Sequence, residues 1–248
     1  MHRFYLRPEL CGNTTVTLED SEAHHALHVL RVRQGDRVTV LDGAGVELLC
    51  EVSSTSSRDL HLTVIKKKSV HPPSCQVTLL QSIPKGKIIE SIIQKATELG
   101  VYRIVPVLSE RVVTRLEARG AEQKLEKWRH VAIEAIKQCG SAWLPRVDAP
   151  VTPDQFIGRN EKFELSLVGS LQDDARHPCT VFSEFRARHK RSPTSVCMWV
   201  GPEGDFTQPE IESIKAAGAL PITLGHCVLR VETAAIYSLS ILNYETQA

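Results

Sequence analysis

The chain reads as an α/β protein in two parts, a small N-terminal β-barrel and a larger domain built on a mostly parallel sheet. Three observations predict this. Residues 1–70 consist mainly of short β-branched or alternating segments. SVHPPS (69–74) interrupts them with two prolines and two serines, and so reads as a linker. From residue 75 onward, apolar strands alternate with amphipathic helical segments that close on glycine. The predicted domains are therefore 1–70 and 75–248. A chain of 248 residues, 42% of them apolar, can supply one large core or two modest ones.

In the first part, HRFYL, TVTL, RVTVLD, VELLCEV and LHLTVIKKK are the strands, and DGAG (42–45) is a hairpin turn between two of them. SEAHHALHVLRV reads as a single helix, with Ser21 as its N-cap and Glu22 in its first turn. In the second part QVTLLQSI, RIVPVLS, ELSLVGS, SVCMWVG and PITLG are strands. KIIESIIQKATELG and AEQKLEKWRHVAIEAIKQCG are helices ending at Gly100 and Gly140; QPEIESIKAAG and ETAAIYSLSILNYE are two more.

Composition narrows the function classes. A charged fraction of 24% is that of a folded protein. No apolar run approaches the roughly 18 residues that span a bilayer. MHRFYLRPEL lacks the apolar core of a secretory signal. Seven cysteines at scattered spacing, with no CxxC, fit free thiols in a reducing compartment, so a cytoplasmic protein is expected. Residues 84–146 carry twelve Lys/Arg against seven Asp/Glu, and 147–248 carry nine against thirteen. This split marks the middle of the chain as the candidate surface for phosphates, although clustered charge on solvated helix faces would look the same.

In an open α/β sheet ligands gather beyond the carboxyl ends of the strands. Three strands here stop at glycine: Gly169, Gly201 and Gly225. One such glycine is an ordinary turn residue, but three suggest a rim of backbone N–H and C=O groups. VGPEGDF follows the second, with Val200, Gly201, Pro202, Glu203 and Gly204 ahead of a helix that Thr207 caps. The chain has no GxxxxGK[ST] and no GxGxxG, so this rim suits a ligand without phosphates. In LGHCVLRVETAA, Arg230 follows Val228 and Leu229 and precedes Glu232. Either Glu232 pairs with it, or it faces an anionic or carbonyl-bearing substrate. His24 and His28 stand four apart, but no third ligand accompanies them, so no metal is expected.

These blocks resemble, over essentially the whole chain, the RsmE family of bacterial 16S rRNA (uracil-N3)-methyltransferases of the SPOUT superfamily. The matching stretches are HHALHVLRVRQGD with its DGAG turn, KGKIIESIIQKATELGVYRIVPVLSERVV, KLEKWRHVAIEAIKQCG, VGPEGDFTQPEIE and LGHCVLRVETAA. The resemblance implies a PUA-like RNA-binding barrel followed by a SPOUT domain with a deep trefoil knot. It implies S-adenosyl-L-methionine held by Gly169, Val200, Gly201, Pro202, Glu203, Gly204, Leu224, Gly225, Val228, Leu229 and Arg230. It implies a homodimer acting on 16S rRNA of the small subunit, at uridine 1498. Three departures stand out. Asp205 occupies a position where the family has glycine, and would either approach the cofactor's cationic groups or cap the helix. Ser141 or Ala142 replaces an arginine after the long helix. Val231 replaces a threonine.

Methylation of uracil N3 requires loss of its proton and stabilisation of the resulting anion. Arg230 is expected to donate to uracil O2 or O4. Glu110 and Glu232 are the candidate bases, with solvent as the alternative. The uridine must leave its stack, and His24, His25, Arg31, Arg33 and Arg111 are the candidate RNA contacts. The competing functions are methylation of another rRNA or tRNA nucleotide by the same fold, and a non-catalytic RNA-binding assembly factor.

Overall fold

The computed structural model describes residues 1–56, 58–111 and 118–246. It divides into two compact units, Met1–Pro72 with Ile133–Leu144, and Pro73–Ala132 with Pro145–Ala248. The first unit thus takes in a stretch from mid-chain, which a single cut at residues 70–75 does not foresee.

The first unit holds β1 (Arg3–Tyr5), β2 (Thr15–Leu18), β3 (Arg37–Leu41), β4 (Val46–Thr55) and β5 (Leu60–Ser69). They form one sheet in the order β1-β3-β4-β5-β2, with β1 parallel to β3 and the other pairs antiparallel. Alternation decides which face is buried. Val38, Val40, Leu48, Cys50, Val52, Leu60 and Leu62 point into one core with Phe4, Val16 and Leu18. The expected barrel is therefore a five-stranded sheet around its own core, and among the described residues no ladder joins its edge strands β1 and β2.

The predicted helix at 21–32 is shorter and differently wound. Helix α1 is Asp20–His24, preceded by Glu19 without a side-chain cap, so Ser21 lies inside the helix. A wide π turn, His25–Val29, follows, with Leu30 N reaching back to His25 O at 3.0 Å. Ala23 and Ala26 are both fully buried along this path, and Arg31 ends it at φ +56°.

The mid-chain stretch joins the first unit through specific bonds. Helix α3 (Ala118–Cys139) ends at Gly140, where φ is +81°. Arg3 donates to the last-turn carbonyls of Lys137 and Gln138 at 3.2 and 3.0 Å, meeting orphan acceptors with a positive charge. Lys137, also buried, donates to Glu22 at 2.7 Å and Glu134 at 2.8 Å. The loop after Gly140 pairs with the β3–β4 hairpin: Gly45 N donates to Ala142 O and Leu144 N to Gly43 O, each at 2.9 Å. Within that hairpin Asp42 Oδ1 accepts from Ala44 N at 2.7 Å and Val46 N at 2.8 Å. Gly45 sits under the Trp143 ring at φ +98°, where a Cβ would lie 2.4 Å from the indole. Ala142 is buried and Ser141 Oγ accepts from Trp143 N, so these two residues are used in packing and turn formation.

The second unit is a six-stranded sheet of β6 (Gln76–Ser82), β7 (Arg103–Val107), β8 (Arg146–Val147), β9 (Leu165–Gly169), β10 (Ser195–Val200) and β11 (Leu220–Ile222). The order is β11-β9-β10-β6-β7-β8, and every pair is parallel. Between the strands run α2 (Ile88–Glu98), α4 (Pro153–Ile157), α5 (Pro178–His189) and α6 (Gln208–Ala216), and α7 (Val231–Thr246) follows the last. Leu80, Val105, Trp199, Phe206, Ile211 and Ile214 belong to one core cluster of this unit. Helix α7 packs on α2 and β10.

At the other side of this sheet Arg103 on β7 is buried among acids. It donates to Asp148 Oδ2 at 2.6 Å and to Glu161, and Arg159 reaches the same Asp148 oxygen at 3.1 Å. Burial pushes the Asp148 carboxyl up, but the hydrogen bonds and charge of Arg103, with Arg159 and Arg146, hold it below its ordinary value. Arg103 does the same to Glu161 against weaker burial. Folded-state pKa values below the unfolded ones contribute stability above the unfolded carboxylate range, and lose it as pH falls through the folded values. Urea unfolding is therefore expected to show stability falling below about pH 4, and Asp148→Asn is expected to flatten that acid limb. An unchanged pH profile in the variant would remove this network from the acid response.

Candidate cofactor and substrate site

The three strands that end on glycine in the sequence are neighbours in the sheet, β11-β9-β10. Ile222 pairs with Gly169 and Pro221 with Val168, which in turn pairs with Trp199, so their carboxyl ends lie level. Beyond them is a cleft lined by Gly169, Ser170 and Leu171 from the first end, by Val200–Glu203 and Asp205 from the second, and by Leu224, Gly225 and Cys227–Leu229 from the third. Val231 and Ala234 of α7 complete it. Backbone, apolar side chains and two carboxylates form these walls, and among the described residues no lysine or arginine lines them.

Local sequence explains two of these walls and the helix start behind them. Gly201 gives the turn room, since a Cβ there would lie 2.9 Å from Asp205 Oδ1 and 3.3 Å from Phe206 N. Gly225 takes φ +107°, and its N–H donates to Thr223 Oγ1 at 3.2 Å. Thr207 N and Oγ1 donate to Glu210 Oε2 at 2.9 and 3.1 Å, which fixes the start of α6.

The middle wall is tied to two other loops. Glu210 Oε1 accepts from the Glu110 backbone N–H at 2.8 Å, so one carboxylate serves both the α6 start and the end of β7. The Arg111 guanidinium donates to Gly204 O. Glu203 Oε1 accepts from the Lys85 N–H at 2.9 Å, tying in the loop after β6. The side-chain-to-backbone bonds of Glu203, Glu210 and Arg111 thus join the ends of β6, β7 and β10.

Of the predicted cofactor residues, Gly169, Val200, Gly201, Pro202, Glu203, Leu224, Gly225, Val228 and Leu229 line the cleft, whereas Gly204 lies outside the lining beside Arg111. Arg230 stands next to the cleft in the turn before α7. It is exposed, its carbonyl accepts from Ala234 N at 2.8 Å, and it makes no ion pair to Glu232 among the described residues. Glu232 is half-buried in the first turn of α7. Glu110 is exposed. In the first unit His24, Arg31 and Arg33 are exposed. His25 is half-buried with its ring edge-on to Phe4. Sequence reasoning missed Ser170, Leu171, Cys227, Val231 and Ala234 as lining, singled out Asp205 only as a departure, and missed Glu210 as a tie. The T-x-x-E spacing at 207–210 is a capping signature, but nothing local points to Glu110. Among the described residues no cluster of His, Cys, Asp and Glu has the makings of a metal site, and no helix is long and apolar enough to cross a membrane. All seven cysteines are free.

A parallel sheet with a cleft at its glycine-ended strands, and a separate small β unit, define an α/β protein of two compact units with a site fit for a small organic ligand. Comparison with known proteins narrows this. Residues 71–243 match the RNA methyltransferase domain family, and residues 18–65 match the RNA methyltransferase PUA domain family. The ribosomal RNA small subunit methyltransferase E of Bacillus subtilis is 30% identical, over 100% of this chain and 98% of its own length. That of Synechocystis is 32% identical over 98% of this chain and 77% of its own. A methyltransferase of Legionella pneumophila solved with SAM superposes with a TM-score of 0.87 at 30% identity, covering 98% of this chain and 96% of that one. The corresponding enzyme of Neisseria gonorrhoeae, solved with S-adenosyl methionine, gives 0.86 at 28%, covering 98% and 97%. The chain belongs to the ribosomal RNA small subunit methyltransferase E family.

Removing Glu210 tests the tie between loops. Glu210→Ala is expected to cost about 1–3 kcal/mol of stability by denaturant unfolding. It should also speed hydrogen exchange at the Glu110 amide. Glu210→Gln keeps an acceptor oxygen and should fall between. Equal unfolding midpoints for Glu210→Ala and the unaltered protein would mean the bonds carry no energy.

Proposed function

We propose that this protein transfers a methyl group from S-adenosylmethionine to N3 of a uridine in 16S rRNA of the small ribosomal subunit. The observation that carries this reading is the cleft itself. Three level strand ends, apolar walls, two carboxylates and, among the described residues, no lining Lys/Arg suit a cofactor that has a nucleoside, a cationic centre and no phosphate. Leu224, Val228 and Leu229 offer apolar surface for the base, the strand-end backbone offers hydrogen bonds, and Glu203 and Asp205 face the positive charge. The bound cofactor supplies an electrophilic methyl on a cationic sulfur.

The chain's own residues then have to bind and orient the uracil and stabilise its anion. Arg230 is the proposed donor to uracil O2 or O4; its exposure beside the cleft, with no ion pair to Glu232 among the described residues, supports this. Glu232 serves the α7 N-terminus, where a carboxylate meets unsatisfied N–H groups. Glu110 is exposed at the end of β7, and solvent is the simplest acceptor of the N3 proton. His24, Arg31 and Arg33 on the first unit, with His25, are the proposed RNA contacts there, and recognition by shape and phosphate suits a turned-out uridine.

The C-terminal passage from β11 to α7, which returns to α2, is proposed as the trefoil knot. Val228 is 78% exposed, Tyr237 47% and Tyr244 81%, an apolar set on the second unit that a second copy of the chain would cover. The homodimer belongs to the same proposal, as does a cytoplasmic location.

Methyl-labelled S-adenosylmethionine with small subunits lacking the modification should place label in N3-methyluridine after digestion. Label in another nucleoside would overturn the assigned position, and none at all the activity. Arg230→Ala is expected to lower turnover at saturating RNA about 10²- to 10³-fold, with cofactor affinity little changed. Intact turnover would remove Arg230 from the chemistry.

A further inference from the structure

We propose that Asp205 makes the cleft prefer a cationic sulfonium cofactor over its neutral thioether product; the proposal rests on the methyl-transfer reading above. Asp205 lines the cleft and is half-buried. Its φ is +60°, a left-handed conformation that glycine adopts freely and other residues adopt at a cost. The position therefore carries a side chain where the backbone favours none.

The side chain is not the helix cap. Helix α6 begins at Gln208, and Thr207 with Glu210 fixes its start. Asp205 N donates to Pro202 O at 3.0 Å, closing the turn, and Oδ1 accepts from Phe206 N at 2.7 Å. Among the described residues Asp205 has no hydrogen bond to Oδ2 and no ion pair, so one carboxylate oxygen has no assigned partner. Glu203, the other acid of the wall, already accepts the Lys85 N–H. A half-buried carboxylate in a cleft that no Lys or Arg lines among the described residues is left to be matched by a cation brought by the ligand.

The reaction removes that cation. The methyl carbon–sulfur bond breaks with its electron pair going to sulfur, the carbon–N3 bond forms, and the N3 proton leaves to solvent. Sulfur ends neutral. An anionic wall therefore holds the cofactor more tightly than the product and favours exchange after each turnover.

Calorimetric titration of S-adenosylmethionine and of S-adenosylhomocysteine into the unaltered protein, Asp205→Asn and Asp205→Gly tests this. Asp205→Asn keeps the left-handed tolerance and the Oδ1 acceptor and removes only charge. It is expected to weaken the sulfonium ligand about three- to tenfold and leave the thioether within about twofold. Asp205→Gly should show the same selective loss. Parallel weakening of both ligands, or no change in either, would overturn the proposal. An unaltered protein that binds neither ligand would instead overturn the methyl-transfer reading, and the role of Asp205 with it.

Discussion

Gly201 leaves the end of β10 without a side chain, and the turn this permits brings Asp205 Oδ1 and the Phe206 N–H back against the strand. That reversal sets the middle wall of the cleft. It aims Pro202 and Glu203 along one wall, buries Phe206 in the core beside Trp199, and delivers Thr207 to the start of α6. A tight turn of this kind is held against fluctuation only if its outer side is tied down. Glu210, Arg111 and the Lys85–Glu203 bond do so from three directions. The cofactor wall is thus rigid because its supports lie on loops that do not line the cleft.

Charge is sorted the same way. A protein of net charge +1 has little long-range attraction for RNA, so local distribution has to do the sorting. Much of the basic middle of the chain is neutralised in place. Lys95, Lys127, Arg129 and Lys137 pair with nearby glutamates, Arg103 with Asp148 and Glu161, and Arg146 with Asp148. Lys85 and Lys87 are exposed, on a loop joined to the cleft wall, and make no ion pair among the described residues. The acidic lining of the cleft and the exposed Lys85, Lys87 and Arg230 thus lie on separate elements of the second unit.

Much of this was legible in the sequence because it is local. Alternation in 37–62, glycines at helix ends and the apolar runs stopping at Gly169, Gly201 and Gly225 each report one element's own backbone needs. Adjacency was not local. That β9, β10 and β11 stand together follows from the crossovers, and the Glu210–Glu110 bond joins residues a hundred positions apart. The assignment of 133–144 to the first unit rests on Arg3 and the Gly43–Gly45 hairpin, far from it in the chain. The helix at 20–29 shows the opposite failure. Its apolar spacing marks a helix, but the widening of the path into a π turn over His25–Val29 is not specified by that spacing.

Asp205 links the two themes. A non-glycine residue in the left-handed region costs of order 1 kcal/mol, less for Asp than for most because its side chain bonds the local backbone. Such a conformation persists when surrounding structure determines it. The Gly201 turn fixes the residues before it, and the Thr207–Glu210 capping pair fixes those after it, so the loop has little freedom to relax. The ties that make the wall rigid therefore also hold a carboxylate where an unsupported loop would turn it to solvent. Rigidity and charge placement in this cleft have one physical origin, the anchoring of the β10–α6 turn from outside.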